Sequence, residues 1–169
     1  MALCGAPAAA AQGRQDLRVG LEEGRVVVSL AYADPRAGEV LAALEEGLAA
    51  EIQFQLRLYR RQRRLLTFLG DHLVAELRLA RTARYDRFER RYCIQSPGAA
   101  EVRFEEAGDF LQEFFTLGPL ALGAAPAGAG YYVQSRVRLT PVKIVPPLKL
   151  ITLFYPPVSS PWLRRELPR

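Results

Sequence analysis

The stretch Glu51–Arg61 constrains the fold of this chain more than any other, because Ile52, Phe54, Leu56 and Leu58 alternate strictly with Gln53, Gln55, Arg57 and Tyr59. A strand repeats every two residues, so the first set lies on one face and the second on the other. A strand apolar on one side and polar on the other belongs to an antiparallel sheet with one face covered and one face wet. The rest of the chain must supply the neighbouring strands and the cover.

Candidate neighbours occur on both sides of it. Leu17, Val19 and Leu21 read as one strand, and Val26, Val28 and Leu30 as its hairpin partner across Glu22-Glu23-Gly24. Asp34-Pro35 then opens a short helix over about Arg36–Glu46, with Val40, Leu41 and Leu44 facing inward and Gly47 as its stop. Residues Leu73–Tyr92 are rich in good helix formers, yet Leu73, Ala75, Leu77 and Leu79 alternate with Val74, Glu76 and Arg78. Periodicity outweighs propensity, so the segment reads as a hairpin: strand to about Tyr85, turn over Asp86–Glu89, strand to about Gln95.

Glu105, Glu106 and Asp109 set negative charge at the start of a second helix with Phe110, Phe114 and Leu117 in one stripe, and Gly118-Pro119 is the expected end of it. Gly123–Gly130 reads as a loop, and Tyr131, Val133, Ser135, Val137 and Leu139 share the face of a further strand. Seven of the twelve prolines lie from Pro141 onward, which predicts an extended tail with Leu148–Tyr155 as a last strand. The elements do not follow the βαβ rhythm of a parallel sheet. The expected fold is mainly β (α+β): an antiparallel β-sandwich-like domain of about six or seven strands with two short helices, over residues 14–169.

Charge bears on partners. A net charge of +5 invites a nucleic-acid reading, but 21 of the 23 basic residues are Arg, in a chain also rich in Ala, Gly and Pro, so the basicity partly reflects codon bias and nucleic acid is disfavoured. Arg60-Arg61-Gln62-Arg63-Arg64 is the densest cluster. It suits either a phosphate or acidic-membrane contact or the solvated end of a hairpin, where Arg discourages edge pairing.

Catalytic and metal motifs are lacking. No phosphate loop, dinucleotide turn or nucleophile elbow occurs, and one histidine with two distant cysteines, Cys4 and Cys93, cannot form a zinc set. Cys93, between Tyr92 and Ile94, reads as packing rather than as a nucleophile, and Asp71-His72 as a solvated turn. No catalytic residue, metal or cofactor is expected.

Residues 1–13 resemble the end of a secretory signal: Ala9 and Ala11 give an A-x-A pattern that places cleavage before Gln12, although a basic n-region is missing and the apolar core is short. The alternative is a disordered Ala-rich leader and a cytoplasmic protein. The apolar stretch Val142–Val158 contains Lys143 and Lys149 and is broken by prolines, so no transmembrane helix is expected.

The strand ending in Tyr59-Arg60-Arg61-Gln62-Arg63-Arg64, the run Ala83-Arg84-Tyr85-Asp86-Arg87-Phe88-Glu89-Arg90-Arg91-Tyr92, then Arg136-Val137-Arg138-Leu139 and Pro146-Pro147-Leu148 resemble the bacterial family catalogued as domain of unknown function 4390, over roughly Val19–Trp162. The resemblance implies an exported protein without assigned activity, from a family associated with the neighbourhoods of membrane sensor kinases, and no active-site residues carry over from it. The shortened leader and the tail Pro156-Pro157-Val158-Ser159-Ser160-Pro161 before Trp162 depart from the family pattern.

The leading expectation is a non-enzymatic periplasmic or envelope module that binds another protein, with a membrane sensor kinase as candidate partner, through a sheet face or its C-terminal tail. Two alternatives stay open: an anionic-surface or nucleic-acid binder using Arg60, Arg61, Arg63 and Arg64, and a sandwich holding a small apolar ligand. Trp162, flanked by Pro161 and Arg164-Arg165, is either packed on its own domain or a docking anchor.

Overall fold

The computed structural model describes residues 13–62, 70–125, 130–143 and 157–168. The expected leader, Arg63, Arg64 and the expected strand Leu148–Tyr155 lie outside the described residues. Ten strands and two helices occur among the described residues, in the order β1 (Arg14–Glu22), β2 (Arg25–Ala33), α1 (Ala37–Glu45), β3 (Ala49–Arg60), β4 (His72–Asp86), β5 (Arg91–Gln95), β6 (Val102–Phe104), α2 (Ala107–Phe115), β7 (Thr116–Ala124), β8 (Tyr131–Lys143), β9 (Val158–Ser159) and β10 (Leu163–Glu166). They form two antiparallel sheets. The small sheet runs β1-β2-β7, and the large one β10-β8-β3-β4-β5-β6, with β9 also pairing β8.

Strand β3 is central in the large sheet. Its Ile52, Phe54, Leu56 and Leu58 are buried, and so are Val133, Ser135, Val137 and Leu139 beside them on β8. The small sheet and both helices cover this inner face, so that Leu17, Val28, Leu30, Val40, Leu44, Phe110 and Phe114 share one core with it. A Cβ added at Gly123 of β7 would stand 3.3 Å from both Leu58 and Ala75, so the sheets approach closely there. The sandwich therefore fills its middle with side chains. Glu23 and Gly24, at φ 48° and 73°, close the β1–β2 hairpin in the left-handed conformation whose twist suits paired strands.

The β4–β5 hairpin confirms periodicity over helix propensity: strand, turn and strand lie where alternation puts them. Asp86 Oδ1 accepts hydrogen bonds from the Phe88 and Glu89 amides at 2.9 and 3.1 Å and fixes the turn. Arginines of this hairpin also finish both helices. Arg87 Nη2 donates to the Glu45 carbonyl at 2.7 Å at the end of α1, which also stops on Gly47 at φ 91° as expected, and Arg81 Nη1 donates to the Thr116 carbonyl at 2.8 Å just past α2, an end without a glycine stop.

Several details correct the reading of the sequence. Gly118-Pro119 does not stop α2, which ends at Phe115; both residues lie inside β7. That strand is an edge, and its register shifts between Leu117 and Leu120, so Pro119 falls in a bulge where its missing N–H costs no ladder bond. Leu117 is buried from β7 rather than from a helical stripe. His72 is not in a turn but pairs with Arg60 at the start of β4. The tail is not merely extended: β9 and β10 add to β8, bringing the strand total above the expected six or seven.

Candidate functional site

The outer face of the large sheet carries the polar half of the β3 alternation, and the strand registers assemble it into rows. Ser159, Arg138, Gln53 and Ala80 stand side by side across β9, β8, β3 and β4, and Arg136, Gln55 and Arg78 form the next row. Below them lie Arg164, Gln134, Arg57 and Glu76, then Glu166, Tyr132 and Tyr59. Alternation on strands far apart in sequence thus gathers arginines and aromatics on one surface.

Ala80 and Ser159 are short and the arginines around them are long. The result is a surface depression of about 440 Å³ whose lining includes Gln53, Gln55, Arg78, Arg136, Arg138 and Ser159, with Phe54, Leu79 and Ala80 between them. Trp162 stands beside it. The Arg57 guanidinium lies 4.7 Å from the Trp162 ring centroid and that of Arg136 5.8 Å, so two cations face one indole. The residue nevertheless keeps 36% of its surface exposed.

Trp162 is held in place by a polar latch two residues earlier in the chain. Ser160 is buried; its Oγ accepts from the Val137 amide at 2.8 Å and from Gln15 Nε2 at 2.9 Å. Gln15 also donates to the Pro161 carbonyl at 2.8 Å and accepts from the Ser135 hydroxyl at 2.9 Å. The tail is therefore tied to β8 and to β1 of the other sheet, and its tryptophan is presented on the outer face rather than in the core.

Glu76 is the hub of this surface. It accepts from Gln55 Nε2 at 2.6 Å, Arg57 Nε at 2.8 Å and Arg78 Nη2 at 3.1 Å. The Arg57 hydrogen bond, followed by that of Gln55, holds its carboxyl down to about 2. A depressed carboxyl stabilises the fold above its unfolded value, and that contribution disappears as pH falls through the folded value. The stability difference between wild type and Glu76→Gln should therefore be widest near neutrality and close toward about pH 2, as urea melts across that range would show; a difference independent of pH would contradict it.

Lower on the face, Tyr132 stacks on Tyr59 with centroids 5.2 Å apart, lies under Arg164 at 3.5 Å, and donates to Asp71 at 2.8 Å. Burial, then the Asp71 hydrogen bond, pushes the Tyr132 hydroxyl up to about 12, and that hydrogen bond lowers Asp71. Asp71 thus serves the sheet and does not pair with His72 as an acid–base couple. Cys93, 1% exposed on the outer side of β5, has its thiol pushed up by burial, which disfavours the nucleophilic thiolate.

The residues singled out from the sequence are not gathered in one place. Arg60 is exposed at the end of β3, and Arg61 is tied to Glu166 of β10 at the same end of the sheet. Of the residues singled out, Trp162 stands beside the depression, next to Arg136, which lines it. Arg57, Arg78, Arg136 and Arg138 are brought together only by the strand registers, although Arg136 and Arg138 alternate with the apolar residues of a predicted strand and must share its wet face. Among the described residues no group of acidic, histidine and cysteine side chains could hold a metal, and no helix is long and apolar enough to cross a membrane.

Comparison with known proteins gives one finding. No curated protein and no solved structure matches the chain. A family model described as a domain of unknown function, DUF4390, matches residues 13–164, from the residue before β1 through the start of β10. That span takes in both sheets and the tail that carries Trp162, and the protein belongs to the DUF4390 family.

Proposed function

We propose that the protein is a non-enzymatic module of the cell envelope that binds another protein on the outer face of its large sheet. The observation that carries this reading is Trp162, latched through Ser160 and flanked by Arg57 and Arg136, yet exposed over more than a third of its surface. A large ring held in one orientation loses little entropy on docking, and Trp, Tyr and Arg are the residues most enriched where binding energy concentrates. Tyr59, Arg138 and Arg164 extend the same composition across the face. The compartment rests on the A-x-A pattern at Ala9 and Ala11, and a membrane signalling component such as a sensor kinase is the kind of partner in this reading. Catalysis has no support in a face whose carboxylates Glu76, Glu101 and Glu166 are tied to arginines.

A photo-crosslinking residue placed at position 162 in the native host tests it, with position 39 on the exposed side of α1 as control. An adduct with one envelope protein, identified by mass and formed only from position 162, is the expected result. No adduct at 162, or the same adducts from both positions, would overturn the reading.

A further inference from the structure

We propose that the depression beside Trp162 is an anion subsite that takes an acidic segment of the partner protein, with Arg136 and Arg138 holding its carboxylates. This rests on the outer face being a protein-binding surface, and adds the chemistry of what binds there.

The pattern of ion pairing marks the subsite. Across the outer face Arg57 and Arg78 share Glu76, Arg84 and Arg103 share Glu101, and Arg164 pairs with Glu166. Arg136 and Arg138 have no carboxylate partner among the described residues. All 18 acidic side chains of the sequence fall within the described residues, so no Asp or Glu of this chain fills that role. Residues two apart on one strand have backbones roughly 6.6 Å apart and side chains on the same face, so the two guanidiniums repel unless an anion lies between or along them. Arg78 and the Ser159 hydroxyl border the same depression. The amide nitrogens of Gln53 and Gln55 are turned to Glu51 and Glu76, so the positive potential comes from the arginines.

The same geometry selects an acidic peptide over a nucleic acid or a bilayer. Alternate side chains of an extended peptide repeat at roughly 6.6 Å, which matches the Arg136–Arg138 spacing and allows two bidentate carboxylate contacts. A duplex or an anionic membrane presents an extended array of phosphates. Such an array would also lie over Glu76, Glu101 and Glu166, and those carboxylates would repel it.

Trp162, the only tryptophan, is a built-in reporter next to Arg136. The full chain is titrated with hexaglutamate peptide at low salt, following Trp162 emission against each variant's own baseline and, independently, the heat of binding. Saturable binding is expected, weakened at least tenfold in Arg136→Gln/Arg138→Gln and unchanged in Arg18→Gln on the other sheet, with thermal melts showing that all three fold. No saturable binding, or equal binding by the double variant, overturns the proposal. Saturation by inorganic phosphate at the same concentration would mean a small-anion site, and tighter binding to phosphatidylglycerol vesicles through the same arginines a membrane site; either overturns the peptide assignment. If the position-162 adduct persists in the double variant, the anion subsite falls while the binding face stands; loss of the wild-type adduct removes the face itself.

Discussion

Replacing Phe110 by Ala is expected to destabilise the protein by about 3–5 kcal/mol, the usual range for truncating a fully buried aromatic ring. Phe110 is 0% exposed and stacks on Tyr92 at 4.9 Å and on Phe114 at 5.4 Å, with Phe104 edge-on at 6.3 Å. Its ring is what joins α2 to β5 and β6. The neighbours cannot relax into the space it leaves: Tyr92 is held at its hydroxyl by Glu45, and β5 is locked in register between β4 and β6. The loss therefore includes a cavity as well as the transfer of apolar surface. Urea unfolding followed by circular dichroism measures it, and a loss below about 1 kcal/mol would mean that α2 is not packed as described.

Ser160→Ala has the second largest expected effect, about 1–3 kcal/mol, because it strands a buried donor. The Val137 amide donates to the Ser160 hydroxyl at 2.8 Å, and that hydroxyl donates in turn to the Val137 carbonyl at 3.2 Å. Gln15 loses an acceptor as well. The substitution should also free the tail around Trp162, so that its emission moves to the red and is quenched more readily in the variant. Unchanged stability with unchanged emission would show that the latch does not hold the tail.

Elements built on strong alternation could be read directly from the chain. β3 and the β4–β5 hairpin follow it closely, even where Ala, Leu, Glu and Arg favoured a helix, because the covered face of a sheet outweighs intrinsic preference. β7 was hidden because its Gly118-Pro119 pair has the local signature of a helix stop, and only its place at an edge with a bulge makes a strand there tolerable. β9 and β10, of two and four residues, are too short to show a period and exist through pairing with β8. The candidate site was legible in part. Trp162 stood out by itself, whereas the depression depends on the registers that set Gln53 beside Arg138 and Gln55 beside Arg136, on strands about eighty residues apart. Which arginines are neutralised is likewise a tertiary fact. At the dense Arg60–Arg61 end Arg61 is paired with Glu166, whereas Arg136 and Arg138 have no carboxylate partner among the described residues.

The central claim is that the outer face of the large sheet is covered by a partner in the cell. Arginine-selective glyoxal labelling, read by mass spectrometry on intact cells and on the purified chain, measures that cover directly. Arg136 and Arg138 should be labelled readily in the isolated protein and shielded in cells, while Arg18, exposed on the small sheet, reacts equally in both. Equal labelling of Arg136 and Arg138 in cells and in isolation would contradict the account.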